Sequence, residues 1–189
     1  MGKLVVTEFV SLDGVFEDPG GAEGYEHGGW TFEYDRGQDG DSFKLDEVME
    51  AEVQLLGRVT YEGFAAAWPS REGPFADKLN RDPKYVVSTT LTEPEWQNTK
   101  LISGRVSEAI TKLKHETDGV ILVAGSGTLV RTLLEADLVD ELRLMLFPTI
   151  LGRGRRLFPD GIDRLKLKLA ESRTVGSDGV QIQIYTRAE

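Results

Sequence analysis

The chain has 189 residues, with 22 lysines and arginines against 32 aspartates and glutamates, two histidines and no cysteine. At this length a single domain covering residues 1–189 is expected, large enough to bury about 70% of the surface of the unfolded chain. A formal net charge of −10 argues against a general binder of nucleic-acid backbones, and the missing cysteine removes disulfides, thiol nucleophiles, iron–sulfur clusters and thiolate zinc sites.

His27 and His115 are far apart and show no HExxH-like spacing, so no metal site is expected. No run approaches the ~18 apolar residues of a membrane span. The opening residues, with Glu8 close behind a short apolar run, lack a signal-peptide pattern. The expectation is a cytoplasmic protein that binds neither membrane nor nucleic acid and acts on a small molecule.

Lys3 to Val10 is rich in β-formers and ends in the turn signal Ser11-Leu12-Asp13-Gly14. The stretch that follows carries Pro19, Gly20, Gly21, Gly24, Gly28 and Gly29, which predicts a long loop. Phe16, Tyr25 and Trp30 within it favour a functional lid over a solvated insertion. From Ser42, the residues Phe43, Leu45, Val48, Met49 and Ala51 fit a helix that leads into a strand at Val53–Leu56. Gly57 then opens a second helix at Arg58. Strands are predicted at Tyr85–Val87 and near Lys100–Ile102. The next helix places Val106, Ala109, Ile110 and Leu113 on one face, with His115 at its end, where imidazolium suits the helix dipole.

Val120–Ala124 is a continuous apolar run followed by Gly125-Ser126-Gly127-Thr128, the pattern of a strand buried on both faces of a parallel sheet and leading straight into a helix. Beyond Asp140 the period changes to two: Leu142, Leu144, Leu146; then Leu165, Leu167, Leu169; then Val180, Ile182, Ile184. With Gly176, Asp178 and Gly179 between the last two runs, this predicts an antiparallel hairpin. The fold class is therefore α/β, a mostly parallel central sheet flanked by helices with a C-terminal antiparallel hairpin. The alternating strands near Leu142–Leu146 and Val180–Tyr185 could also pair between subunits and build a homodimer.

Gly125-Ser126-Gly127 lacks the third glycine of GxGxxG, with Val130 in its place, and no Walker A sequence is present. Singly, each glycine junction reads as a tight turn with a helix cap. Jointly, Gly57-Arg58-Val59-Thr60, Ser88-Thr89-Thr90, Ser103-Gly104-Arg105 and Gly125-Ser126-Gly127-Thr128 follow the carboxyl ends of parallel strands, where such sheets bind ligands. Hydroxyls, backbone amides and two arginines suit a phosphorylated nucleotide.

In order and spacing, these junctions, together with Val10–Val15, Leu138–Leu142 and Phe147–Phe158, resemble the dihydrofolate-reductase-like proteins. The similarity is to the C-terminal reductase domain of the bacterial riboflavin-biosynthesis deaminase-reductase, from Lys3 to about Arg187. The resemblance implies an NADPH-dependent reductase. Gly57, Arg58 and Thr60 would hold the pyrophosphate, Ser88, Thr89 and Arg105 would approach the adenosine 2′-phosphate, and Thr90 would also bind the cofactor. Gly125, Ser126, Gly127, Thr128 and Leu129 would pass beside the nicotinamide and pyrophosphate. In dihydrofolate reductases the bond matching Gly125-Ser126 joins two glycines and is cis; this chain has Ser126 there.

On the substrate side, Phe16 and Trp30 could face a flat ring. Asp13 is either the catalytic acid or an Asx-type turn residue with Gly14. The dihydrofolate-reductase pattern of Trp, Pro and then an acid is missing, since Thr31, Phe32 and Glu33 follow Trp30. Glu33 is a stand-in for that acid or an exposed residue on a short helix. The leading expectation is hydride transfer from NADPH to a pterin-like or pyrimidine-like molecule. The alternative is a non-catalytic nucleotide-binding or interaction protein on the same fold.

Overall fold

The computed structural model describes residues 1–188. In chain order they form β1 (Lys3–Ser11), a 3-10 turn (Trp30–Glu33), α1 (Gly37–Glu50), β2 (Ala51–Gly57), α2 (Arg58–Ala67) and α3 (Pro74–Arg81). There follow β3 (Lys84–Val87), β4 (Thr99–Ile102), α4 (Val106–Glu116), β5 (Val120–Ala124), α5 (Gly127–Glu135), β6 (Glu141–Phe147), β7 (Leu167–Val175) and β8 (Val180–Arg187). The strands hydrogen-bond in the order β4-β3-β2-β5-β1-β6-β8-β7. β2 is parallel to β3 and β5, β3 is parallel to β4, and β8 is antiparallel to β6 and β7. The expected α/β class, mostly parallel with an antiparallel C-terminal hairpin, is what the chain adopts.

The chain divides into two compact units, each discontinuous in sequence: Met1–Val6 with Leu45–Val139, and Thr7–Lys44 with Asp140 onward. In the first unit the parallel strands are apolar because helical crossovers cover them. Leu55, Leu56, Ile121, Leu122 and Val123 are all buried, and each large aliphatic side chain removed from water stabilises the fold by about 1.5–3 kcal/mol. Val48, Leu56, Tyr61, Leu79, Val86, Trp96 and Leu122 belong to one core cluster. α3, a helix not expected from the sequence, supplies Leu79. Its signal was present in Gly73-Pro74, because proline at the first helical position has no amide that needs a partner.

Lys84 anchors this unit from inside. Fully buried, it donates through Nζ to the carbonyls of Leu79 at 2.8 Å, Asn80 at 3.1 Å and Asp82 at 2.7 Å, closing the C-terminus of α3. The ammonium also lies 4.5 Å from the Trp96 ring centroid, within cation–π range. Burial pushes its pKa down to about 8, opposed by the nearby Asp82 carboxylate.

The second unit is built on the hairpin. β7 and β8 pair from Leu167↔Arg187 to Val175↔Val180, so the turn falls on the Gly176–Gly179 stretch that the sequence marked. Asp35 and that turn exchange bonds: Asp35 accepts from the Ser177 hydroxyl at 2.8 Å, and the Asp35 amide donates to Asp178 at 2.6 Å. Asp35 also accepts the Gly37 amide at 2.8 Å, which explains why α1 begins at Gly37 and not at Ser42. The Ser177 hydroxyl and the Gly37 and Ser177 amides hold its pKa below the ordinary carboxylate value.

Period two misleads at two strands. β6 is buried at Glu141, Arg143 and Met145 as well as at Leu142 and Leu144. The charged pair is tolerated because Arg143 Nε donates to Glu141 at 2.6 Å. Conversely, Leu167 and Leu169 in β7 and Leu165 ahead of it are 38%, 50% and 43% exposed, because neither face of β7 is covered before Val175. β6 and β8 pair with each other along Glu141↔Thr186 to Leu146↔Gln181, so they are not open for the intersubunit pairing expected of them.

Candidate functional site

All the residues expected to hold a dinucleotide lie in the first unit, at the end of β2, in the turns after β3, β4 and β5, or in the first turns of α2 and α5. Because these strands are parallel, the turns share one edge of the sheet. Three of them open helices: α2 from Gly57, α4 from Arg105 and α5 from Ser126, and none of these N-cap residues caps its own helix through a side chain. Amides at uncapped helix starts carry the positive end of the dipole.

The β2–α2 and β5–α5 junctions are tied together. Ser126 Oγ accepts the Gly57 amide at 2.8 Å and donates to the Ala124 carbonyl at 3.1 Å, while Thr60 Oγ1 accepts the Ser126 amide at 3.0 Å. Gly125 and Ser126 both have left-handed backbones, φ 57° and 67°. A Cβ on Gly125 would stand 2.9 Å from Thr60 Oγ1, so that position favours glycine. No peptide bond among the described residues is cis, Gly125-Ser126 included. Gly127 is half-buried, Thr128 exposed and Leu129 buried, its side chain in the core.

Arg58 is exposed and donates to Glu62 one turn on at 2.8 Å; Arg105, 84% exposed, donates to Glu108 at 3.2 Å. Both pairs are surface pairs of the kind worth little to stability, so both guanidinium groups remain available to a stronger anion. Ser88 is buried and its hydroxyl accepts the amides of Thr90 at 3.1 Å and Leu91 at 2.9 Å. It shapes the turn, leaving Thr89 and Thr90 exposed.

The substrate-side candidates Asp13, Phe16, Trp30 and Glu33 lie in the second unit. Asp13 accepts the Ser11 hydroxyl at 2.7 Å and the amides of Leu151 at 3.1 Å and Gly152 at 2.8 Å. Partial burial works against its charge, but the Ser11 hydroxyl and the two amides outweigh it and hold the pKa below the ordinary value. A carboxylate kept ionised by three donors is a poor proton donor, so Asp13 is a brace for the loop at residues 151–152.

Trp30 is 2% exposed, stands edge-on to Phe147 at 5.3 Å and donates its indole N–H to the Glu17 carbonyl at 2.9 Å. Its ring belongs to the core of the unit and is not free to stack on a substrate. Phe16 is half-buried, with the Arg155 guanidinium 5.7 Å from its ring centroid. Glu33 is exposed; with Glu26, His27, Thr149, Ile150 and Leu151 it lines a shallow pocket of about 310 Å³.

The glycine-rich loop after Gly14 is bound down along its length. Phe16 donates its amide to Arg155 at 3.1 Å, and Leu157 donates to Gly14 at 2.9 Å. Glu17 accepts both the Arg155 amide at 2.7 Å and its Nε at 2.8 Å, and the Tyr25 hydroxyl donates to the Arg153 carbonyl at 2.8 Å. Asp18, 2% exposed, closes the inner turn by accepting the amides of Ala22, Glu23 and Tyr25. The lid expected from its composition is thus half of a two-loop unit with residues 149–157. Sequence reasoning missed this partnership, although the charge alternation of Glu17, Glu23 and Glu26 against Arg153, Arg155 and Arg156 carried a signal of it.

Among the described residues no helix is long and apolar enough to cross a membrane, and no group of three or more His, Asp or Glu could hold a metal ion.

Comparison with known proteins places this geometry in a family. The chain is 30% identical over 185 residues to the uncharacterized protein YyaP of Bacillus subtilis (strain 168), covering 95% of this chain and 93% of that one. Its fold is similar to a putative riboflavin biosynthesis protein from Shewanella sp. PV-4, with a TM-score of 0.79 at 23% identity over 99% of both chains. A dihydrofolate reductase from Enterococcus faecalis, solved in complex with NADP(H), shares the fold with a TM-score of 0.58 at 16% identity, over 99% of this chain and 97% of that one. Residues 2–181 match the model of the RibD C-terminal domain, and the chain belongs to that family.

Proposed function

We propose that residues 1–189 act as a single cytoplasmic reductase domain that binds NADPH and reduces a small pterin-like or pyrimidine-like molecule. The observation that carries this reading is the joined edge at Gly57, Thr60 and Ser126, where the N-termini of α2 and α5 meet without caps of their own. The residues present fit a dinucleotide. Uncapped helix starts suit a diphosphate, and the exposed Arg58 and Arg105 suit further phosphate groups. Gly125, where a Cβ would crowd Thr60, lets the β5–α5 turn pack closely against the start of α2.

NADPH, when bound, supplies a hydride. The protein's part is to orient and to hold charge. Arg58, now paired with Glu62, would hold a phosphate oxygen, and Arg105, now paired with Glu108, would hold the adenosine 2′-phosphate, a group that NADPH has and NADH lacks. In the second unit, Asp13 fixes residues 151–152 and the buried Asp18 fixes the loop that carries Tyr25 and His27, so the pocket beside Glu33 keeps its shape.

Titration of the full chain with NADPH, NADP⁺ and NADH, followed by NADPH oxidation across a panel of pterins and aminopyrimidines, tests the reading. Micromolar binding with oxidation supports it; no binding at millimolar cofactor refutes it. The ionised state of Asp13 favours one second reading, a cofactor-binding protein without turnover, for which the titration succeeds and oxidation fails with every substrate.

A further inference from the structure

We propose that the outer face of the β7–β8 hairpin is an interaction surface on which a second copy of this chain docks, sheet face against sheet face. Residues directly opposite one another on antiparallel strands point to the same side. The register therefore sets Leu169 beside Tyr185, Ser172 beside Gln183 and Thr174 beside Gln181 on one face, with Arg173 beside Ile182 and Val175 beside Val180 on the other. The second of these is the core side, since Val175, Val180 and Ile182 belong to one cluster with Phe147. The first is bare along β7: Leu167 and Leu169 are exposed, and so are Ser172 and Thr174. Leucines left in water on a regular strand mark a surface that another molecule covers.

Two features suit this face to burial. Its polar groups satisfy one another: the Tyr185 hydroxyl donates to Gln183 at 2.8 Å, and the Gln183 side-chain amide donates to Gln181 at 3.2 Å. This chain of bonds along β8 lowers the cost of taking those groups out of water. The face is also uncharged from Leu169 and Tyr185 to Thr174 and Gln181, in a chain with 29% charged residues and a net charge of −10. That charge identifies the occupant. Two copies at −10 repel wherever like-charged surfaces meet, and a two-fold contact sets the same patch against itself. An uncharged face is the kind of surface on which two such copies can meet. Strand-to-strand pairing along the β7 edge is a different contact. The bulge between Leu169 and Glu171 and the side chains of Lys166 and Lys168 oppose it, being devices that keep sheet edges from pairing.

The test is sedimentation velocity of the full chain over about 1 to 200 µM, which should show a monomer–dimer equilibrium with a Kd of about 10 µM, in keeping with a face two strands wide. Leu169→Lys and Gln183→Glu each place a charge inside the contact and should raise that Kd about tenfold or more. Lys168→Gln, on the opposite face of the same strand, should stay within about twofold of the parent. A parent chain that is monomeric at the highest concentration overturns the proposal. So does a dimer that survives Gln183→Glu, because β8 lies inside the sheet and a contact along the β7 edge does not reach Gln183. Should Gln183→Glu fold poorly by circular dichroism, Ser172→Glu, exposed and directly opposite, brings the same charge to the same place. None of these residues is among those proposed to bind NADPH, so the result stands whatever the cofactor titration gives.

Discussion

Asp13 and Gly152, 139 residues apart in sequence, are joined by a 2.8 Å hydrogen bond from the Gly152 amide to the Asp13 carboxylate. With the Leu151 amide on the other oxygen, this makes a carboxylate that follows the first strand the anchor of a loop near the opposite end of the chain.

Asp13→Ala should therefore destabilise the protein by about 2 kcal/mol, since two loop amides lose their acceptor. Hydrogen exchange should speed up at Leu151 and Gly152, and NADPH affinity should not change. The pH dependence has a definite sign. Because the folded pKa is lowered from 3.8, the unfolded chain binds the proton more readily. The contribution is full above the unfolded value and fades as pH falls through the folded one. Acid unfolding of parent and variant should converge only at that low-pH end; a constant difference down to the lowest pH would refute the anchoring role.

Lys84→Met should cost about 3 kcal/mol in denaturant, because three carbonyls at the end of α3 lose a buried donor. The parent's advantage should grow between pH 8 and 10.5. Across that window the unfolded lysine, near 10.5, holds a proton that the folded one, at about 8, has released. Stability rises with pH wherever the unfolded state binds more protons. A stability difference that shrinks over this window would contradict the depressed pKa.

Arg105→Ala should weaken NADPH about tenfold, the loss of a charge-assisted contact, and NADH by much less. Arg58→Ala should weaken both. Equal losses for both cofactors on removing Arg105 would take the 2′-phosphate away from it, and the exposure of this side chain, 84%, means that folding should be unaffected.

Trp30→Ala should lower stability by roughly 4 kcal/mol through loss of the core contact with Phe147. Denaturation followed by circular dichroism would register it. A Trp30 that instead faced substrate would raise KM and leave the unfolding midpoint in place.

The first unit was largely legible because its signals are local. Val120–Ala124 is apolar throughout, and only a strand covered on both faces can bury such a run. The second unit was less so. Leu165, Leu167 and Leu169 alternate as faithfully as Leu142, Leu144 and Leu146, yet the former lie exposed on or just before the edge strand β7 and the latter in an interior strand. Period two reports only that side chains take turns on two faces; which faces are covered depends on the neighbours a strand acquires.

The candidate site divides in the same way. By itself the sequence determined the strand–turn–helix junctions, with glycines at Gly57 and Gly125, and the surplus of acid that argues against a broad anion-binding surface. Only the tertiary structure decided what the hydroxyls and carboxylates there are for. Ser126 serves Gly57, Thr60 serves Ser126, and Asp13 serves Leu151 and Gly152. The reason is physical: backbone conformation is set mainly by nearby residues, whereas a polar side chain settles on whichever unsatisfied donor the fold brings within about 3 Å, and that donor can lie anywhere in the chain.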